Sequence, residues 1–232
     1  MSINPNTRGN TLQERRLGYL YAKRMQDIVL SILGLLLLLP LLLLIALIIV
    51  IESPGESPIF IQERVGKNGK IFKFYKFRTM YPNAEQHLQE LLDRNEMNGP
   101  VFKIKDDPRI TKVGRILRKT SVDELPQLWN ILKGDMSLIG PRPALWNQDD
   151  LMALRDRYGA SMIRPGLSGW AQVNGRDYLS QDLEKKARRD GEYANNVSFA
   201  FDLKCFLLTI VKVFNRQGIK EGADENKTEA GQ

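Results

Sequence analysis

Two adjacent carboxylates, Asp123 and Glu124, lie in a basic stretch of the sequence whose chemistry suits phosphate groups. Arg118 and Lys119 come just before them, and Arg142 follows between two prolines on what we expect to be a stiff loop. One guanidinium group can donate two parallel hydrogen bonds to two oxygens of a phosphate. A carboxylate beside a bound phosphate can act as a nucleophile. A long apolar segment precedes this region, so we expect phosphate chemistry at a membrane surface.

The same two carboxylates also have a purely structural interpretation. Ser121 with Glu124 three positions later matches a capping box, which predicts a helix over 121–132 with both acidic side chains in its first turn. Acidic residues are common in first turns because unpaired N–H groups and the helix dipole favour negative charge there. The basic residues around the pair favour the chemical interpretation.

The composition limits the classes of protein and partner. Lys and Arg outnumber Asp and Glu by 34 to 27 in 232 residues, which favours one domain that meets nucleotides, phosphorylated lipids, anionic membranes or nucleic acid. The single cysteine, Cys205, excludes an intrachain disulfide framework. Because His87 is the only histidine, no Cys/His cluster has zinc-ligand spacing.

The segment from Val29 to Ile51 is apolar apart from Ser31. At about 1.5 Å per helical residue it is long enough to cross roughly 30 Å of hydrocarbon. Basic residues flank it on both sides, so both flanks are predicted to be cytoplasmic. A re-entrant helix that bends at Pro40 and returns to its own face satisfies this rule, whereas an ordinary kinked span remains the alternative.

The rest of the sequence predicts a mostly helical α+β fold. Strands are expected near 59–62 and 71–77, joined by the Asn-Gly turn at 67–70, and helices over 83–94, 121–132 and 147–158. An amphipathic helix over 198–214 suits either the membrane interface or a globular core. The predicted organisation is a disordered segment 1–11, an interfacial helix and membrane re-entrant helix within 12–52, a cytosolic catalytic domain 53–216, and a polar tail 217–232.

Several blocks of sequence, in order, resemble one known family. They are Lys76-Phe77-Arg78-Thr79-Met80, Asp107-Pro108-Arg109-Ile110-Thr111, Asp123-Glu124-Leu125-Pro126-Gln127, Ser137-Leu138-Ile139-Gly140-Pro141-Arg142-Pro143, and the run from Arg164 to Arg176. Together they are similar to the bacterial sugar transferases, the monotopic phosphoglycosyl transferase family, over about 23–216. The chain resembles the minimal catalytic form of that family.

This resemblance implies transfer of a sugar 1-phosphate from a UDP-sugar to undecaprenyl phosphate, with release of UMP. The implied place is the cytoplasmic face of the bacterial inner membrane, at the first membrane step of exopolysaccharide or capsule synthesis. Asp123 would attack phosphorus to form a covalent phosphosugar intermediate, with Glu124 as its partner. Mg²⁺ is implied as cofactor, with Asp123 and Glu124 as its protein ligands.

Lys76, Arg78, Arg118 and Arg142 are predicted to bind phosphate, and the resemblance further implies that Gln172, Arg176 and Asp190 bind substrate. Lys76 and Arg78 could instead face lipid headgroups, the glycines of 164–176 could form ordinary turns, and Asp190 could lie in a surface salt bridge.

The expected partners are the UDP-sugar, undecaprenyl phosphate and the lipid bilayer, not nucleic acid. The alternative function is a membrane-tethered module that binds anionic ligands, or a scaffold for polysaccharide assembly. The identity of the sugar and the formation of a homo-oligomer are left open.

Overall fold

The computed structural model describes residues 5–84, 86, 107–175 and 182–214, with side chains between residues 18 and 213. These parts of the chain form a mostly helical α+β fold, as predicted. The helices are α1 (Pro5–Glu52), α2 (Lys112–Thr120), α3 (Gln127–Lys133), α4 (Asp149–Arg157), α5 (Trp170–Val173), α6 (Leu183–Asn195) and α7 (Phe199–Phe214). The strands are β1 (Ile59–Val65), β2 (Ile71–Phe77), β3 (Ser137–Ile139), β4 (Ala144–Leu145) and β5 (Gly166–Ser168).

Some predictions fall on parts of the chain outside the described residues. They are most of the predicted helix over 83–94, the tail 217–232, His87 and Arg176. The segment 1–11 was predicted to be disordered, but α1 already begins at Pro5. Extending a formed helix adds one hydrogen bond for each residue ordered, whereas starting one is costly, so the helix continues outward from its apolar part.

The β1–β2 hairpin confirms the predicted strands and turn. Ile59 pairs with Phe77 and Val65 with Ile71 in an antiparallel register, and β4 adds to the other edge of β1. Asn68 and Gly69 in the turn have positive φ angles of 56° and 76°, which the Asn-Gly sequence favours. The hairpin thereby places Lys76 near the end of β2, beside elements that come later in the chain.

Helix α1 runs without interruption through Pro40, so the re-entrant path stays a prediction. Residues 18–52 form the one helix, among the described residues, that is long and apolar enough to cross a membrane. One face packs on the domain through Lys23, Asp27 and Ser31 and then through Ile45 and Ile49, all buried. The opposite face exposes apolar side chains, among them Leu30, Leu33, Leu37, Leu44, Leu47 and Ile51.

Ser121 does not form the predicted capping box. It takes a left-handed conformation with φ 57°, and its backbone amide closes the end of α2 on the carbonyls of Leu117 and Arg118. Its side chain makes no capping hydrogen bond, and residues 122–124 form a separate 3-10 turn before α3 begins at Gln127. The predicted single helix over 121–132 is therefore wrong, because the left-handed residue reverses the chain direction after α2.

Strands β3 and β5 form a two-stranded parallel sheet behind the loop that carries Arg142. A Cβ atom added to Gly166 would lie 2.1 Å from the Gly140 amide nitrogen, and one added to Gly169 would lie 2.0 Å from the Gly140 carbonyl oxygen. These glycines therefore permit two backbone segments to touch. Packing of these two backbone segments therefore requires glycine at both positions.

The last two helices close the domain against the start of α1. Tyr193 of α6 and Cys205 of α7 are buried in a cluster with Trp170, and Phe201 packs edge-on against Trp170 with ring centroids 5.0 Å apart. Asp202 accepts hydrogen bonds from Tyr19 and Lys23 of α1. The position of α7 is therefore tied to α1.

Candidate active site

Asp123 lies in the 3-10 turn Val122–Glu124, where only 8% of the residue is exposed. Burial and the neighbouring charge of Glu124 raise the pKa of this carboxyl above its ordinary value. The positive charges of Lys76, Arg118 and Arg142 oppose that rise. Three separate elements thus supply cations around one buried carboxylate.

Glu124 is held by Arg142 in a two-point ion pair. The two terminal guanidinium nitrogens of Arg142 donate to the two carboxylate oxygens at 3.2 and 2.5 Å. Burial alone would lower the pKa of Arg142, but the charge of Glu124 and these hydrogen bonds outweigh it and raise the pKa. The pair therefore fixes a guanidinium next to Asp123.

A second, deeper ion pair holds the loop that carries Arg142. Arg155 of α4 donates to Asp190 Oδ2 at 2.9 and 2.6 Å and to the Arg142 carbonyl oxygen at 2.9 Å. The Arg155 and Asp190 side chains are 4% and 1% exposed, so a surface salt bridge at Asp190 is ruled out. Asp190 lies behind Arg142 and contributes to the position of that loop.

Lys76 and Arg118 approach Asp123 from β2 and α2. Burial and the nearby Arg118 lower the pKa of Lys76 to about 8, and its ammonium lies 5.1 Å from the centre of the Phe60 ring. Arg118 Nε donates to Thr79 Oγ1 at 2.8 Å. Both side chains are half-buried and line one cavity, so they suit a bound phosphate better than the surface of lipid headgroups.

Arg78 has its own partners away from the carboxylate pair. Its Nε donates to the Ser57 carbonyl oxygen at 2.7 Å, and its terminal nitrogen lies 3.2 Å from Glu56. The side chain thereby ties the end of β2 to the loop after α1. It also lines the cavity next to Lys76.

Two basic residues near this site were not predicted. Arg64 of β1 donates to the Pro143 carbonyl oxygen at 3.2 Å, and burial together with Arg142 lowers its pKa to about 10. Lys186 of α6 lies near Arg155 and Asp190, and burial and Arg155 lower its pKa to about 8. Neither belongs to a local motif, so only the fold brings them to Arg142.

Two cavities lie near the site and differ in character. One cavity, of about 340 Å³, is lined by the basic side chains Lys76, Arg78 and Arg118 and by Thr79. A mainly apolar cavity of about 320 Å³ has Glu124 and Gln172 in its wall. Gln172 donates to the Leu167 carbonyl oxygen at 3.2 Å, while its buried Oε1 has no hydrogen-bond partner.

The profile of the family described as "Bacterial sugar transferase" matches residues 18–216. The galactosyl transferase CpsE of Streptococcus agalactiae is 43% identical over 87% of this chain and 44% of its own length. UDP-glucose:undecaprenyl-phosphate glucose-1-phosphate transferase of Escherichia coli is 42% identical over 83% of this chain and 40% of its own.

The exopolysaccharide production protein ExoY of Sinorhizobium fredii is 39% identical over 85% of this chain and 87% of its own length. The chain thus spans less than half of the first two relatives and most of the third. In each case the similarity covers more than four-fifths of this chain, including the residues around Asp123.

Proposed function

Because the chain belongs to the bacterial sugar transferase family, we propose that it transfers a sugar 1-phosphate from a UDP-sugar to undecaprenyl phosphate and releases UMP. The observation that carries this proposal is the buried carboxylate of Asp123 within reach of the charges of Lys76, Arg118 and Arg142. A donor diphosphate needs several cations, and a phosphorus held there faces a nucleophile. The name of the Escherichia coli relative states this same reaction for glucose.

The proposed reaction has two displacements at one phosphorus atom. An Asp123 oxygen attacks the phosphorus that carries the sugar, a P–O bond to Asp123 forms, and the P–O bond to UMP breaks. A phosphate oxygen of the lipid then attacks the same phosphorus and releases Asp123, which leaves a lipid diphosphate sugar. Lys76, Arg118 and Arg142 balance the negative charge in both steps, and Glu124 keeps Arg142 in place.

Mg²⁺ is part of the proposal. Among the described residues no three His, Cys, Asp or Glu side chains form a metal cluster, but Mg²⁺ commonly takes one or two carboxylates together with substrate phosphates and water. Asp123 and Glu124 fit that requirement and would hold the ion. When bound, Mg²⁺ would supply Lewis-acid stabilisation of the negative charge on the departing UMP.

We place the protein at the cytoplasmic face of the inner membrane, with α1 as a re-entrant anchor. Both ends of the apolar helix contact the same domain: Asp27 accepts from the Leu138 amide at 3.0 Å, and Glu52 accepts from the Val113 amide at 3.2 Å. These residues are roughly 40 Å apart along a straight helix. A helix that crossed the bilayer would separate its two ends, so these contacts support a return to the same face. The exposed apolar side chains of α7 suit the bilayer interface.

The direct test is transfer from a panel of labelled UDP-sugars to undecaprenyl phosphate with Mg²⁺, with UMP release measured in parallel. We expect lipid-linked product from at least one donor and none from Asp123→Asn. If the chain were only a binding module or scaffold, Asp123→Asn would retain full function and no donor would yield UMP. Transfer would initiate a surface glycan such as exopolysaccharide or capsule.

A further inference from the structure

The apolar cavity next to Glu124 has no part in the chemistry described so far. Its wall contains Leu125, Leu138, Leu167 and Val173 from the domain and Phe206 and Val213 from α7. A volume of about 320 Å³ lies at the lower end of the range for small-ligand sites. The cavity is therefore large enough for part of a ligand, and its walls require that part to be apolar.

The nucleotide sugar does not suit this cavity. A UDP-sugar is ionic at its diphosphate and hydroxylated at its sugar, and most of the surface of this cavity offers no hydrogen-bond partner to such groups. The cationic side chains Lys76 and Arg118 line the other cavity. The donor diphosphate thus has a separate site that is lined by cationic side chains.

The apolar cavity is continuous with the apolar outer face of α7. Phe206 and Val213 line the cavity, yet they are 52% and 51% exposed, so each also belongs to that outer face. The same face continues through Phe199, Leu203 and Ile210. Because Asp202 ties α7 to Tyr19 and Lys23 of α1, the face lies on an element fixed to the membrane helix. An apolar chain can therefore pass from the bilayer into the cavity without crossing water.

We propose that this cavity holds the isoprene units nearest to the phosphate of the lipid acceptor, with the rest of the chain in the bilayer. This inference rests on the proposed function and adds where the acceptor binds. Glu124 lies in the cavity wall next to Asp123, so a lipid that fills the cavity has its phosphate beside the attacked phosphorus. Lys212 also lines the cavity and offers a cation to the lipid phosphate. The donor and the acceptor then place their phosphates at the same site one after the other. The nucleoside and the lipid chain bind at separate sites.

The test compares two valines of α7 that have almost the same exposure. Val213 lines the cavity at 51% exposure, whereas Val211 is 50% exposed and does not line it. Val213→Trp and Val211→Trp therefore enlarge equally exposed side chains of α7, but only the first narrows the cavity. We expect Val213→Trp to raise the KM for undecaprenyl phosphate at least about tenfold and Val211→Trp to leave it unchanged. UMP release from donor alone should be normal in both variants.

A second measurement does not depend on the tryptophan conformation. A short isoprenyl phosphate with a photoreactive diazirine on its second isoprene unit should label the wild-type protein within 167–173 or 206–213. Labelling elsewhere, or equal effects of the two tryptophan variants on the KM for lipid, would overturn the proposal. Loss of donor-only UMP release in Val213→Trp would also overturn it, because the cavity would then hold the nucleoside. Failure of the proposed function itself looks different, since the wild-type protein would then release no UMP at all.

Discussion

The Arg142 guanidinium donates to both carboxylate oxygens of Glu124, and this contact joins two segments of the chain at the proposed reaction centre. The loop between β3 and β4 thereby meets the turn that carries Asp123. A lysine at position 142 could keep the charge but could not reproduce the two-point contact. The geometry of this ion pair therefore matters as well as its charge.

Arg142→Lys is expected to lower kcat about 10²-fold to 10³-fold, the range seen when one fixed donor to a developing charge is lost. The fold should persist, so the circular dichroism spectrum should match that of the wild type. Arg157→Lys, at an exposed position of α4, is the matched control and should retain full activity. Equal activity of the two variants would show that the Arg142 contact is dispensable.

The Arg155–Asp190 pair should contribute to stability more than to substrate contact. Asp190→Asn or Arg155→Leu leaves a buried charge without its partner, and such losses cost about 3–5 kcal/mol. We expect a lower denaturation midpoint in urea for each single variant. The double variant Arg155→Leu/Asp190→Leu should regain part of that loss, because no isolated charge remains buried. If Asp190→Asn changed only the KM for donor and left the midpoint unaltered, Asp190 would instead bind substrate.

The pH dependence of kcat/KM should be bell-shaped. Asp123 must be ionised to attack, and its pKa is raised by burial and Glu124, so activity should fall with decreasing pH earlier than for an ordinary aspartate. Lys76 must be protonated to bind phosphate, so activity should also fall as the pH rises through about 8.

Substitutions at Lys76 separate these two limbs. Lys76→Arg should remove the alkaline limb, because arginine stays charged throughout. Lys76→Met should move the acid limb to higher pH, because it removes a charge that opposes the rise in the pKa of Asp123. Lys186 has a similar pKa of about 8 but is not among the charges that act on Asp123. Lys186→Arg should therefore leave the alkaline limb in place. If the alkaline limb disappeared in Lys186→Arg, that limb would report the ionisation of Lys186 instead of Lys76.

The re-entrant path of α1 predicts that both of its flanks are cytoplasmic. Tyr21→Cys and Glu56→Cys place thiols at exposed positions before and after the apolar segment. A membrane-impermeant maleimide should label neither variant in intact spheroplasts and both in inverted vesicles. The wild-type Cys205 is buried and serves as the unlabelled control. Labelling of one variant from outside would show that α1 crosses the bilayer.

The sequence predicted local structure and chemistry well where neighbours along the chain decide them. The β1–β2 hairpin follows from its Asn-Gly turn and alternating apolar residues, and the helices over 147–158 and 198–214 follow from their apolar spacing. Residue type alone grouped Asp123, Glu124 and Arg142, and the structure brings these three side chains together. The structure brings Lys76 and Arg118 to the same carboxylate.

What the sequence could not predict depends on contacts between distant segments. Arg155 and Asp190 are 35 residues apart, and no local pattern announces their buried pair or its bond to the Arg142 carbonyl. The capping box at Ser121 failed because the left-handed turn that ends α2 overrode a favourable local pattern. Arg24 is one of the basic residues that flank the apolar segment, and only the fold shows that it donates to the Ile131 carbonyl of α3. These features follow from tertiary packing rather than from local propensity.

The central claim is that Asp123 becomes covalently bonded to phosphorus, and it can be measured with donor alone. The protein is mixed with a UDP-sugar and Mg²⁺ without lipid, quenched in acid, digested and examined by mass spectrometry. We predict one equivalent of UMP and a sugar phosphate adduct on the peptide that contains Asp123. If UMP appears only after lipid is added and that peptide stays unmodified while product forms at the normal rate, direct transfer is correct and the covalent mechanism is wrong.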